Sequence, residues 1–155
     1  SRIGRRIWMS FKFGRGLLGP LKPLIGIWSH TGEHNGQAVS VSRTYEPWGK
    51  GWVRLTAAWT LPGKDYVEIA FYGPTDDGSL GFYSFTNDGR RSEGHLADGS
   101  DVHDHAIAFV ARFPAGTGRM IAWPRDDGQP GFDFAVESQT QKGWSRFLVQ
   151  RFGPA

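Results

Sequence analysis

The chain has 155 residues, with 18 basic and 15 acidic side chains and no cysteine. This length suits one domain that buries a core without covalent staples, and the lack of cysteine excludes disulfides, thiolate nucleophiles and Cys-ligated zinc. Five basic residues fall within the first 15 positions, which leaves 13 basic against 15 acidic residues in the remainder. A nucleic-acid-binding domain needs a basic excess on its folded body, so we expect no nucleic-acid partner.

Residues 1–15 form a basic, glycine-punctuated extension, which is either native or introduced by cloning, and Met9-Ser10 offers an alternative natural start. We assign the domain itself to residues 16–155. No apolar run approaches the roughly 20 residues that span a bilayer, and no export signal is recognisable. The simplest interpretation is therefore a cytoplasmic protein without a membrane span.

A broken apolar stretch follows, in which Leu17, Leu18, Leu21 and Leu24 are interrupted by glycine and proline, and it predicts one short helical turn. From Ile25 onward the sequence is all-β in character: extended segments rich in aromatic and β-branched residues alternate with turn residues. We predict strands at about 25–31, 37–47, 51–61, 65–73, 80–87, 92–97, 105–113, 118–124, 131–138 and 143–152.

The connections between these segments are short and contain steps such as Asp77-Gly78, Asp98-Gly99 and Asp127-Gly128, which accept the positive φ of tight turns. Short connections pair successive strands antiparallel, because parallel pairing needs a long crossover. An open meander of this size would leave two exposed edges, which closure removes. The sequence therefore predicts a closed, up-and-down antiparallel β-barrel of about eight to ten strands.

Some strands are apolar on both faces, for example the segment in which Ile107 and Phe109 alternate with Ala106, Ala108 and Val110. One face of such a strand should line the barrel and the other should meet something outside it. The outside contact is either the leading segment folded across the barrel or a second copy of the chain. We favour the second copy, and hence a homodimer.

The first and last predicted strands carry a recognisable pattern. Gly26-Ile27-Trp28 opens the first strand just after the helical turn, and the last strand runs Arg146-Phe147-Leu148-Val149-Gln150-Arg151. This resembles the lipocalin and fatty-acid-binding (calycin) signature. The resemblance implies that Trp28 packs at the closed barrel end, stacked beneath a last-strand arginine, with Arg151 the first choice and Arg146 the second.

Motifs of the second half, including Gly81-Phe82-Tyr83-Ser84-Phe85 and Gly143-Trp144-Ser145-Arg146-Phe147, are similar to a bacterial lipocalin-like family of uncharacterised function. The resemblance covers about residues 21–153 and implies a barrel with room for a small ligand, but no catalytic residues. The related haem-binding nitrobindins use a histidine near the chain end, whereas the last histidine here is His105. We therefore expect neither haem nor another cofactor.

The hairpin near residues 139–142 predicts a polar cluster, because its register sets Glu137 opposite Trp144 and one diagonal step from Arg146. Such a cluster either anchors a polar ligand head inside an apolar cavity or forms a structural salt bridge at the barrel end. We take six residues as candidate ligand-binding residues: Arg146, Glu137, Trp144, Arg119, Tyr83 and Trp123.

Four polar residues near one turn raise the question of a metal site. His103 and His105 stand two positions apart, with Asp101 and His95 nearby, and two imidazoles with a carboxylate can ligate a metal ion. The same residues surround the turn at Asp98-Gly99, where a solvated polar loop is expected. We predict no metal site here.

Three functions fit this pattern. The first is binding of a small apolar or amphipathic molecule inside the barrel, with Arg146 or Arg119 orienting its polar end. The second is a barrel enzyme of the cyclase or isomerase type, in which Glu137 or Tyr83 assists with protons. The third is a structural dimer whose barrel is filled by its own side chains.

Overall fold

The computed structural model describes residues 11–155, which form a closed barrel of ten antiparallel strands in up-and-down order. A 3-10 helix, Gly19–Leu24, precedes the first strand. The strands are β1 (Gly26–His34), β2 (Gln37–Trp48), β3 (Trp52–Leu61), β4 (Lys64–Pro74), β5 (Leu80–Thr86), β6 (Arg91–Ala97), β7 (Ile107–Phe113), β8 (Gly116–Pro124), β9 (Phe132–Thr140) and β10 (Gly143–Pro154).

The predicted all-β fold, the ten strands, the short helical turn and the closure are thus confirmed. The largest difference in the strand bounds is at β1, which runs to His34 rather than ending near residue 31. Asn35 and Gly36 both have positive φ, at 51° and 77°, as a two-residue hairpin turn of the primed type requires. Because the turn is that short, both flanking strands extend up to it.

One end of the barrel is closed by the helix and by residues just before it. Leu21 and Leu24 are buried and join the main core, and the Trp28 indole Nε1–H donates a 2.7 Å hydrogen bond to the Leu24 carbonyl. Phe11, which belongs to the extension predicted over residues 1–15, is also buried in this core. Residues 1–10, with the alternative start at Met9, lie outside the described residues.

The ring closes between β1 and β10 through a short ladder. Only two residue pairs, Trp28 with Pro154 and Ser29 with Gly153, are in register there. Beyond them the two strands are joined by a side-chain contact. The His30 Nδ1 lies 2.9 Å from the Arg151 carbonyl oxygen and donates a hydrogen bond to it, because a carbonyl oxygen can only accept. Every other neighbouring pair of strands is joined by a longer ladder than this one.

The barrel interior is aromatic at its closed end. Phe132 and Phe152 stack with ring centroids 5.2 Å apart, while Tyr72 meets Phe109 edge-on at 4.9 Å. Each belongs to the single main core of buried side chains. Edge-on and offset aromatic pairs are the favoured arrangements, and they fill this end of the barrel.

The outer face of β7, β8 and β9 is covered by the chain itself. Ala108, Ile121 and Ala135 point outward from these strands and are fully buried, with Val102 and Ala106 packed against them. Residues 98–106, the connection between β6 and β7, therefore act as a strap over this face. The outside contact expected from the sequence is supplied here by that connection.

None of the helices within residues 11–155 has the length and apolar character needed to cross a bilayer.

Candidate functional site

The barrel contains a cavity of about 680 Å³ near the ends of β4, β5 and β6. Its lining combines apolar side chains with hydroxyls, one carboxyl group and two arginines at the rim. The lining residues are Tyr66, Glu68, Phe82, Ser84, Thr86, Arg90, Arg91, Ser92, Phe113, Pro114, Ala115 and Met120. Its volume falls in the usual range of small-molecule sites.

The polar centre of the cavity is a pair of side chains from adjacent strands. Glu68 lies on β4 directly opposite Thr86 of β5, and Ser84 is one diagonal step away on the same face. The Ser84 hydroxyl donates a 2.5 Å hydrogen bond to the Glu68 carboxyl group. Because Ser84 is 2 % exposed, the pair presents a fixed hydrogen-bonding group within the barrel.

The apolar floor of the cavity depends on a glycine. Phe82 lies two residues nearer the closed end than Ser84, and it is paired with Gly94 of β6. A Cβ atom at Gly94 would lie 2.4 Å from the Phe82 ring, so the ring occupies the space that a side chain would fill. Met120 borders the same floor, which leaves the cavity with an apolar base beneath the Glu68–Ser84 pair.

Arg43 lies on the same inward-facing row as Glu68. It pairs with Ala57 of β3, which in turn pairs with Glu68, so the small alanine separates the two charged residues by two strand spacings, or about 10 Å. The Arg43 guanidinium donates hydrogen bonds of 3.1 and 2.9 Å to the Tyr45 hydroxyl and lies 4.2 Å from the centre of the Phe134 ring. No carboxylate among residues 11–155 forms an ion pair with it.

The buried polar groups around Arg43 have displaced pKa values. Burial opposes the charge on Arg43, but Tyr45, Tyr72 and Glu68 outweigh it, so the pKa of Arg43 is raised. Burial also raises the pKa of Tyr45 and raises that of Tyr72 well above its ordinary value. Both phenols therefore stay neutral at physiological pH and can donate hydrogen bonds.

Five of the six ligand-binding residues predicted from the sequence lie together, but on the outer face of the barrel. Arg119 is 2 % exposed and donates to Glu137 at 2.7 Å, while Arg146 reaches the other oxygen of Glu137 at 3.2 Å. Arg119 lies 4.8 Å from the Trp144 ring and Arg146 lies 4.9 Å from the ring of Trp123. They form two guanidinium–indole pairs, which Glu137 joins by accepting hydrogen bonds from both arginines.

The same arginine fastens the strap. Arg119 forms two parallel hydrogen bonds to Asp101, of 2.8 and 2.9 Å, and a third of 3.3 Å to the Asp98 carbonyl. These bonds lower the pKa of Asp101 and raise that of Arg119. This geometry favours the structural salt bridge over the ligand anchor, since none of the five residues lines the cavity.

The register in this hairpin differs from the predicted one. Glu137 lies opposite Arg146, and Trp144 lies opposite Gln139. The turn is shorter than expected: Thr140 pairs with Gly143, so β9 extends to Thr140 rather than ending near residue 138. Tyr83, the sixth predicted residue, lies apart from the others, with its ring 6.4 Å from that of Trp52.

The stacked contact implied by the calycin resemblance is not formed. Trp28 faces the interior and meets Phe132 edge-on at 5.5 Å. Arg151 lies on the opposite face of its strand and donates to Asp133 at 2.7 and 2.8 Å and to Asp126 at 2.8 Å. Because alternate residues of a strand point to opposite faces, Arg151 cannot share a face with the buried Phe152 beside it.

Two of the candidate metal ligands near the histidine-rich turn, His103 and Asp101, form hydrogen bonds with other protein groups. His103 accepts the backbone N–H of His105 at 3.0 Å, and Asp101 is held by Arg119. Within the part of the chain that the structure describes, no three metal-ligating side chains gather into a group that could hold a metal ion.

Sequence reasoning missed the interior polar residues Arg43, Glu68 and Ser84. The signal was present, since each stands at an inward position of a strand whose alternate residues are apolar, as in Val39-x-Val41-x-Arg43-x-Tyr45. A polar residue at such a position must find a partner or a cavity.

No known protein-family model matches the chain, and no curated protein is significantly similar to it.

Proposed function

We propose that the protein binds a small amphipathic molecule inside the barrel. The observation that carries this proposal is the cavity of about 680 Å³, in which an apolar floor formed by Phe82 and Met120 adjoins the Glu68–Ser84 pair. Burial of a ligand's apolar part on such a floor supplies affinity at roughly 25 cal/mol per Å² removed from water. The polar pair supplies orientation.

The polar end of this ligand carries a hydrogen-bond donor, either a hydroxyl or an amine. Ser84 already donates its proton to Glu68, so the remaining capacity of the pair is that of an acceptor. A ligand carboxylate next to Glu68 would place two like charges in a partly enclosed site, which costs binding energy. Arg90 and Arg91 also line the cavity, but both are exposed at its rim, where solvent screens their attraction for a carboxylate. We therefore expect fatty acids to bind more weakly than alcohols or amines at the Glu68–Ser84 pair.

The proposal is tested with Nile red, a neutral apolar fluorophore, as the reporter. Decylamine, decanol and decanoate are then used as competitors that share one tail and differ in the head group. We expect the amine and the alcohol to displace Nile red, and the carboxylate to need at least about ten-fold more, which corresponds to 1.4 kcal/mol.

Glu68→Gln is the diagnostic variant, because it removes the charge and keeps the size of the side chain. We expect it to abolish the difference between decylamine and decanoate. Glu46→Gln is the matched control, since Glu46 is a carboxylate on β2 that pairs with Arg54, 2.6 Å away, and does not line the cavity. The proposal fails if Nile red does not bind, or if Glu68→Gln leaves the order of the three competitors unchanged.

Native mass spectrometry of protein purified from its own source would identify the natural ligand. A mass in excess of the denatured chain that disappears on unfolding is the expected result. The ligand should also be recovered without chemical change after repeated cycles of binding and release, which separates a binding protein from an enzyme.

We also propose that the barrel is of the lipocalin-like (calycin) class. The closed, antiparallel ten-strand barrel and the Gly26-Ile27-Trp28 opening of β1 support this assignment. The bacterial origin, the cytoplasmic location and the homodimer inferred from the sequence stay predictions.

A further inference from the structure

Four aromatic rings surround a hollow of about 300 Å³ on the outer face of β2 to β5. The rings belong to Trp48, Trp52, Phe71 and Tyr83. Trp48 meets Phe71 edge-on with centroids 5.1 Å apart, and Trp52 is tilted against Tyr83 at 6.4 Å. Trp48 is 51 % exposed, so the hollow opens to solvent and is separate from the barrel interior.

The local sequence explains why four rings gather here. Trp48 and Trp52 are the last residues paired at the β2–β3 hairpin, so they project side by side. Gly73 follows Tyr72 on β4, which pairs with Val53, the residue after Trp52. A Cβ atom at Gly73 would lie 2.3 Å from the Trp52 ring. Glycine at this position lets Trp52 lie close to the sheet and form one wall of the hollow.

Carboxylates border the aromatic hollow. A second hollow of about 260 Å³ shares Tyr83 with the first and is lined by Asp76, Asp77 and Glu93. Hydrogen bonds from Ser79 and Thr75 lower the pKa of Asp77, which therefore keeps its negative charge.

The basic residues nearby offset this charge only in part. Arg54 pairs with Phe71 in the sheet register, but its charge is taken up by Glu46 at 2.6 Å. Lys50 lies in the hairpin turn, and His95 borders the acidic hollow. The aromatic hollow is thus adjoined by a net negative surface.

We propose that this aromatic hollow binds a small organic ammonium ion. Aromatic faces attract cations through the ring quadrupole, and groups of such rings recognise quaternary ammonium ligands. The three carboxylates strengthen the attraction for a cation over a neutral molecule of the same shape. They also oppose a phosphocholine group, whose phosphate lies near its ammonium, so the free ion is favoured over a lipid head group.

The site is tested by titrating the full chain with choline and following the indole N–H signals of Trp48 and Trp52 by NMR. The neutral isostere 3,3-dimethyl-1-butanol has the same shape without the charge. We expect choline to bind about five-fold or more tightly than the isostere, and phosphocholine to bind more weakly than choline. Equal affinities for choline and the isostere, or tighter binding of phosphocholine, would overturn the proposal.

Two variants locate the binding. Tyr83→Leu and Trp48→Leu each remove one ring, and each is expected to weaken choline binding about five-fold. Phe85→Leu is the matched control, because Phe85 is an aromatic residue 52 % exposed on the same face of the same strand as Tyr83. If both ring variants keep wild-type affinity, the proposal is refuted. Since Trp48 is half-exposed, its loss should leave the fold intact even where Tyr83→Leu does not.

Glu68→Gln separates this site from the cavity inside the barrel. Choline affinity should be unchanged in that variant, because Glu68 faces the interior and the aromatic hollow lies outside. Loss of choline binding in Glu68→Gln would assign the cation to the cavity and refute the outer site.

Discussion

Replacing Arg119 with methionine should destabilise the barrel by about 3 kcal/mol. The substitution keeps most of the side-chain volume but removes the cation between Glu137 and Asp101. Glu137 has a side chain only 5 % exposed, and after the change its remaining charged partner is Arg146, at 3.2 Å and 37 % exposed. Removal of one member of a buried ion pair costs about 3–5 kcal/mol, because the other charge stays buried without its partner.

The two carboxylates contribute unequally to this cost. The Asp101 side chain is 55 % exposed, so solvent screens its attraction to Arg119 and its share is at most about 1 kcal/mol. Asp101→Asn should therefore have a small effect. The stacked contact with Trp144 adds about 0.5–1 kcal/mol. Most of the destabilisation comes from Glu137, which the residual contact with Arg146 partly relieves.

Urea unfolding is the appropriate assay. With a typical slope of about 2 kcal/mol per M, a loss of about 3 kcal/mol lowers the midpoint by roughly 1.5 M. The double variant Arg119→Met with Glu137→Leu should recover most of the lost stability, because it leaves no buried charge without a partner. Asp101 and Arg146 also lose a partner, but their side chains are 55 % and 37 % exposed, so water solvates both charges. A loss below about 1 kcal/mol in Arg119→Met, or no recovery in the double variant, would refute the reasoning.

Gly131→Ala should cost at least about 2 kcal/mol, because its Cβ would lie 2.0 Å from the Phe152 carbonyl oxygen. Gly143→Ala is its control, since Gly143 has nearly the same φ, 118° against 119°, and a Cβ atom there would have no other atom within 4 Å. Comparable losses of stability in urea unfolding would show that the contact with the Phe152 carbonyl does not cause the loss. The lowered pKa of Asp101 should stabilise the strap above its ordinary pKa of about 4, with the benefit lost as the pH falls below that value. The protection of the Val102 amide against hydrogen exchange, relative to an unstructured peptide at the same pH, should then fall below pH 4 in the wild type more than in Asp101→Asn. Identical pH profiles of this protection would contradict the account.

Most of the architecture follows from local signals in the sequence. Turn steps such as Asp77-Gly78 and Asp127-Gly128 mark the reversals, and glycine has a positive φ at both. The short connections favour antiparallel pairing of successive strands, because parallel pairing would need long crossovers. Closure follows in turn, because ten strands in a meander would otherwise expose two edges. These signals act over a few residues, which is why they can be recognised in a single sequence.

The location of the polar site could not be deduced in the same way. Glu137 and Arg119 look like cavity residues in the sequence because both are polar within apolar strands, yet they face the outside under a strap formed by residues 98–106. Which face is inward is set by register, and a shift of one residue exchanges the faces. The strap also buries the outer apolar face of β7 to β9. Strands that are apolar on both faces therefore do not by themselves indicate that a second chain covers the barrel.

The short ladder between β1 and β10 makes ring closure a long-range step in folding. The residues that meet there, such as His30 and Arg151, are 121 positions apart, whereas all other neighbouring strands follow one another along the chain. For a flexible chain, joining ends so distant costs about 3 kcal/mol more than closing a four-residue turn. The hairpins can therefore assemble before the cylinder is sealed, and the amides of Ser29 and Gly153 should be among the first in the sheet to exchange with solvent.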